Sequence, residues 1–167
     1  MIRCTIALAV TVVATLCGCA SLQPPAETGD PLRTHNFLVS QMYAVPHGQM
    51  FSMTAAALQA EGYTVERRDS AETKGQLVTE PRFTAPSCLK AEVRAEVEQL
   101  GLGLVVAART FRKHDSTEVK ILSVVVRRDS IAASQRGKAE SLDFALRTCG
   151  SFRVLVRLDS LAGRPTK

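Results

Sequence analysis

Met42, His47, Met50 and Met53 fall within twelve residues, and thioethers beside an imidazole are the donor set that selects Cu(I). His47, Met50 and Met53 follow one another at intervals of three, so on a helix they point in neighbouring directions. The competing account is structural: Met50 fills a core and Met53 closes a gap at the edge of an apolar face, as flexible thioethers do. We expect the packing role, with copper handling as the alternative. Other chemistry is thinner. His35 and His114 stand apart from His47, and neither HExxH nor GxSxG occurs. Gly101-Leu102-Gly103 lacks the further glycine and the lysine of a phosphate loop, and Ser87-Cys88 has no histidine beside it in sequence. A catalytic site would have to assemble in space from common residue types. No enzyme and no cofactor are expected.

The five cysteines divide by position. Cys4, Cys17 and Cys19 lie in or just after an N-terminal apolar stretch; Cys88 and Cys149 stand alone. Arg3 is the only charge before Glu27, and Ile6, Leu8, Val10, Val12, Val13 and Leu16 form a compact apolar block that gives way to Gly18, Ala20 and Ser21. A positive start, a short apolar core and small residues at its end are the pattern of a secretory leader. The block is shorter than the ~20 apolar residues of a spanning helix, and Pro24-Pro25 prevents its continuation. A permanent span is the second reading.

Leu16-Cys17-Gly18-Cys19 resembles the lipobox of bacterial lipoproteins, in which a bulky aliphatic and two small residues precede the lipid-bearing cysteine. Cys17 stands where Ala, Ser or Thr is usual. The resemblance implies that residues 1–18 are removed as a signal peptide, and that Cys19 carries a diacylglyceryl thioether and an acylated amino group. Two or more acyl chains suffice for stable anchoring. Ala20 and Ser21, rather than Asp, after that cysteine resemble the pattern of lipoproteins sorted to the periplasmic face of the outer membrane. Inner-membrane retention or secretion is the alternative.

With that leader gone, Cys88 and Cys149 remain in an oxidising compartment and are expected to form one disulfide. No histidine or further cysteine stands at ligand spacing beside either, which disfavours a metal pair. Loss of Arg3 takes the formal charge from +5 to +4, with no run of like charges long enough to announce nucleic acid, which is set aside as a partner. Residues 19–36, with Pro24, Pro25, Gly29, Asp30 and Pro31, hold too little apolar surface to order themselves and are expected to be a flexible stalk. A single domain is expected over 37–163.

The elements of that domain follow from periodicity. Residues 37–45 read as a strand, and Pro46 opens a helix to Glu61 that places Met50, Phe51, Thr54, Ala57 and Leu58 on one face and ends at Gly62. Strands are expected over 63–67 and 75–80, the second with Leu77 and Thr79 facing one way. Over 88–100, Leu89, Ala91, Val93, Ala95 and Val97 alternate with charged residues, which predicts a strand against the helix preference of the same residues. Strands at 104–113 and 118–128 would complete a meander with it. A helix is expected over 138–149, capped by Gly150, with Leu142, Ala145, Leu146 and Cys149 on one face. A further helix over 151–163 uses Ser151 as its N-cap and Gly163 as its stop; a strand is the alternative there. Arg109, Arg112, Lys113, Lys120, Arg127 and Arg128 are read as a solvated face interspersed with Glu96, Glu98 and Glu118. Were they to share one face, they would form a patch for anionic headgroups or an acidic partner.

The expected fold is therefore α+β: an antiparallel meander with two or three helices packed on one face. Tyr43-Ala44-Val45-Pro46, then Glu61-Gly62-Tyr63-Thr64-Val65, Asp69 and Gly75, resemble the opening of small envelope lipoproteins. Among these are the helix-grip domains of lipoprotein component C of the outer-membrane β-barrel assembly machinery. The resemblance spans roughly residues 37–80 and implies a binding or accessory role in envelope assembly or maintenance, with an envelope protein as partner. A helix-grip sheet with a deep apolar pocket would instead take small hydrophobic ligands.

Overall fold

A computed structural model describes residues 39–165. The leader, Cys19, the stalk over 19–36, His35 and the first residues of the expected opening strand lie outside the described residues. The order is β1 (Val39–Tyr43), α1 (His47–Ala60), β2 (Val65–Ser70), β3 (Lys74–Thr79), α2 (Ala91–Gln99), β4 (Leu102–Lys113), β5 (Ser116–Arg127), a short 3-10 turn at Ala133–Gln135, and α3 (Arg136–Ala162). The strands form one antiparallel sheet in the order β1-β5-β4-β3-β2. The three helices share one apolar core with one face of that sheet. This is the α+β arrangement that the sequence implied.

β4 and β5 are its spine. Their β-branched content suits a pleated surface packed from one side, and they stay in register over all twelve residues of each strand. Leu104, Val106, Ala108 and Thr110 of β4 stand opposite Val125, Ser123, Ile121 and Val119 of β5, and this set faces the helices. The alternate set holds a smaller cluster of Ala107 and Leu122, flanked by Val78 and Val124. His114 closes the hairpin at φ 54, in the left-handed region that a tight two-residue turn demands. α1 buries Met50, Phe51, Thr54, Ala57 and Leu58, the face its periodicity specified.

Two expectations are overturned. The segment at 91–99 is a helix, not a strand, so the meander is made by β2, β3, β4 and β5, with α2 inserted between β3 and β4. The period-two pattern there rested on Ala91 and Ala95, which bury little surface. The larger Val93, Val97 and Leu100 recur at the spacing of a helical stripe, and they are what meets the core. The helix preference of the Ala, Glu, Lys and Arg residues is then unopposed.

At the other end, the helices expected over 138–149 and 151–163 are one helix of 27 residues running through Gly150. Gly150 is no cap. A Cβ on it would lie 2.8 Å from Leu104 Cδ1 and 3.0 Å from Ser123 Oγ, so its bare backbone lets α3 approach the sheet. Ser151, expected as an N-cap, is buried beside it and shares a 2.9 Å hydroxyl–hydroxyl hydrogen bond with Ser123. Gly163, at φ 81, ends the helix as expected.

β1 is tied to the far end of α3 by Tyr43. Its side chain is fully buried and its hydroxyl donates to Asp159 Oδ1 at 2.7 Å. Burial first, then the hydrogen bond and the charge of Asp159, push the phenol well above its ordinary value. A phenol held protonated in the folded chain contributes stability that is complete below the unfolded value of ~10 and is lost as pH rises past it. Urea midpoints should therefore fall above pH ~10 with a slope of about 1.4 kcal/mol per pH unit for this group. Tyr43→Phe should make that limb shallower, the buried Tyr63 phenol, also raised, keeping part of it, while lowering stability at neutral pH; an unchanged alkaline limb would count against the assignment.

Candidate functional site

The connection from β3 into α2 is fastened at several points. Arg82 continues the β3 edge by a two-way backbone pairing with Leu104, each amide donating to the other carbonyl at 2.8 Å. Its guanidinium donates to the Glu61 carbonyl and lies over the Tyr63 ring, 5.2 Å from the centroid. Gly62, at φ 83, is required both for the turn leaving α1 and for that crossing arm, since a Cβ there would sit 3.1 Å from Arg82 Nη1. Further along, Cys88 reaches Cys149 of α3 at disulfide distance, with Cα atoms 6.0 Å apart. The structure thus brings together the pair that the cysteine count singled out.

Glu61 is the charged hub on this side. Its side chain is 9% exposed, and it accepts from Arg153 Nε at 3.0 Å and from Arg157 Nε at 3.1 Å, one turn apart on α3. Two guanidinium forks on one carboxylate fix the rotation of α3 about its axis. That rotation has a consequence at the surface. Phe144, Phe152 and Val156 face outward, 65%, 58% and 45% exposed, and Thr148 completes the i, i+4 series between them. The crest from Phe144 to Val156 is ~18 Å long. It is flanked by the Asp143–Arg147 pair at 2.9 Å on one side and by the Glu61–arginine cluster on the other. Two phenyl rings and a valine thus stand exposed along one line of the helix, bordered by ion pairs.

The residues expected to do chemistry are dispersed. Met50 is fully buried, Met53 packs at the edge of the core, and His47 Nε2 is engaged with Thr110 Oγ1 at 2.9 Å. Met42 alternates with Tyr43 on β1 and so lies on the opposite face of the sheet from α1. The four do not share one constellation. The basic residues divide as well. Arg109, Lys113 and Lys120 share a face, whereas Arg127 and Arg128 lie at the opposite end of the β4–β5 pair, with Arg128 over Phe83 at 4.5 Å. Lys113 and Lys120 pair with Glu118, as a solvated face implies, but Glu96 and Glu98 belong to α2 and not to the sheet. A cleft of about 690 Å³ over β2, β3 and β4 is lined by Arg67, Arg68, Asp69, Lys74 and Arg109 among others, so it is not a deep apolar pocket.

The crest has no counterpart in the sequence reading, because the break expected at Gly150 puts Phe144 on one helix and Phe152 and Val156 on another. The signal that finds it is the i, i+4 recurrence of 144, 148, 152 and 156 once the helix is continuous. Among the described residues no helix is long and apolar enough to cross a membrane. No protein-family model matches this sequence, and no curated protein does either.

Proposed function

We propose that the protein is a lipid-anchored, non-catalytic binding module of the bacterial envelope, held through Cys19 at the periplasmic face of the outer membrane, whose α3 crest docks onto a protein partner. The observation that carries the binding role is the line of Phe144, Phe152 and Val156, exposed on the longest helix of a domain whose other large apolar side chains are buried or half-buried, Leu161 apart. Natural interfaces concentrate their energy in such aromatic residues. The lipobox-like Leu16-Cys17-Gly18-Cys19 supports the tether, and a paired Cys88 and Cys149 suits an oxidising compartment. A long helix laid on an antiparallel sheet is in keeping with the helix-grip resemblance. The accessory role in envelope assembly or maintenance rests on that resemblance. For the copper alternative no comparable observation speaks, since its candidate ligands are dispersed.

The test is site-specific photocrosslinking in intact cells, with a photoreactive residue at position 144, 152 or 156 and a control at Gln59. A discrete adduct from the crest positions alone is expected. Phe144→Ser/Phe152→Ser should reduce complex recovery at least tenfold, while stability shifts only by the ~0.5 kcal/mol typical of surface changes. Equal adducts from Gln59, or full recovery with the double variant, would remove the crest from consideration. An adduct between two copies of this chain would reassign it to self-association. The tether is read in parallel: Cys19→Ser should migrate as an unprocessed form and incorporate no labelled fatty acid, and maturation at the usual size would count against the anchor.

A further inference from the structure

Beyond the crest lies a separate cleft of about 220 Å³, walled by the end of α1 and the turn that leaves it, the connection around Arg82 to Ser87, α2 and α3. Arg82, Arg94 and Arg153 all line it, with Thr84 and Ser87 on the connecting segment and Tyr63 from the turn after α1. Glu61 is the single carboxylate among the lining residues, and both its oxygens are taken by Arg153 and Arg157. Arg82 is held by a backbone carbonyl, which satisfies a donor but neutralises no charge. Arg94 is the odd one. Its Nε is buried and has no hydrogen-bond partner among the described residues.

A buried, unpaired guanidinium N–H costs free energy and calls for an explanation. Three guanidinium groups around one cleft with one occupied carboxylate leave a net positive, donor-rich concavity. Hydroxyl groups supply further donors around it. Planar forks of this kind match the oxygens of a phosphate group two at a time. The volume is below the 300–1,000 Å³ of pockets that take drug-sized molecules, so it suits a headgroup rather than a whole ligand. The disulfide stands at its rim: Cys88 follows Ser87 directly, and Cys149 is one helical turn before Arg153.

We infer that this cleft is an oxyanion site that takes a phosphate group, gripped by the guanidinium forks of Arg82, Arg94 and Arg153 that line it. The inference does not depend on the crest or on the tether. A phosphate could come from solution or from a phospholipid headgroup, and the experiment separates these.

Full-length protein in nonionic detergent is titrated with inorganic phosphate and, separately, with micelles doped with phosphatidic acid, and binding is read calorimetrically. Saturable phosphate binding, displaced by sulfate and not by chloride, is the expected result. Arg94→Met removes the fork while keeping the aliphatic stem, and should weaken binding at least tenfold. It should leave the melting temperature without phosphate unchanged or higher, since a buried donor without a partner is gone. Should that variant fold poorly, Arg94→Lys keeps the charge and should still bind several-fold more weakly than the wild type. Tighter binding of the doped micelles than of inorganic phosphate identifies a lipid headgroup, and equal binding a soluble phosphate; both support the site. No saturable binding in either titration, or undiminished binding by a folded Arg94 variant, overturns it.

Discussion

The double substitution Cys88→Ala/Cys149→Ala is expected to lower the stability of the domain by about 4 kcal/mol. The two cysteines are separated by 61 residues in sequence, and cross-linking a loop of that length removes much of the freedom of the unfolded chain. The loop contains α2, β4 and β5, so the constraint acts on the spine of the sheet and on the helix packed over it. Against a typical total of 5–15 kcal/mol, roughly a quarter or more of the stability depends on this link. Urea midpoints of the wild type with and without reductant should differ by this amount, whereas the double variant should be indifferent to reductant. Equal midpoints for the oxidised and reduced wild type would show that the two sulfurs are not joined. The site of attachment adds a local consequence: the segment from Pro86 to Lys90 should gain amide exchange on reduction before β4 and β5 do.

Gly75→Ala should cost about 3 kcal/mol, at the upper end for overpacking a core. A Cβ at this position would strike Phe51 Cδ2, and would stand 2.6 Å from Phe51 Cε2 and 2.8 Å from Thr110 Oγ1. Neither neighbour can retreat cheaply. Phe51 is 7% exposed on the inner face of α1, and the Thr110 hydroxyl is bonded to His47. Moving α1 outward would open the packing around Met50 and Leu58, both fully buried. Gly48→Ala on the same helix is the control, because a Cβ there meets nothing within 4 Å. It should be neutral or stabilising by up to ~1 kcal/mol. Thermal melts of the two variants decide the matter. If Gly75→Ala melts like the wild type, the contact between α1 and β3 is looser than described.

Periodicity carried the sequence reading where side chains were large and burial was one-sided. α1 was legible because Met50, Phe51, Thr54 and Leu58 recur at helical spacing, and β3 because Leu77 and Thr79 alternate with Gln76 and Val78. α2 failed for a physical reason. Alanine satisfies an alternation on paper but contributes little burial, so Val93, Val97 and Leu100 decided the conformation. The break expected at Gly150 had the opposite cause. A glycine that ends a helix and one that admits a neighbouring strand look alike in sequence, and only Leu104 and Ser123 tell them apart. The pairing of Cys88 with Cys149 could be anticipated by counting. The arginine cleft could not, because Arg82, Arg94 and Arg153 come from three elements whose meeting depends on where α2 sits.

The sheet order sets a sequence of events during folding. β1 pairs with β5, and Val39 stands opposite Ile121, so the first strand among the described residues has no partner until most of the chain is present. β2 through β5 can zip together as neighbours in sequence, closing short loops apart from the one that holds α2. β1 must then arrive from the start of the chain, at the entropic cost of a long closure, and α3 must seat before Asp159 can receive Tyr43. The last piece to settle is thus the one joined to the amino-terminal segment. A pull on that segment would reach β1 before the rest of the sheet, which gives the domain a natural peeling edge there.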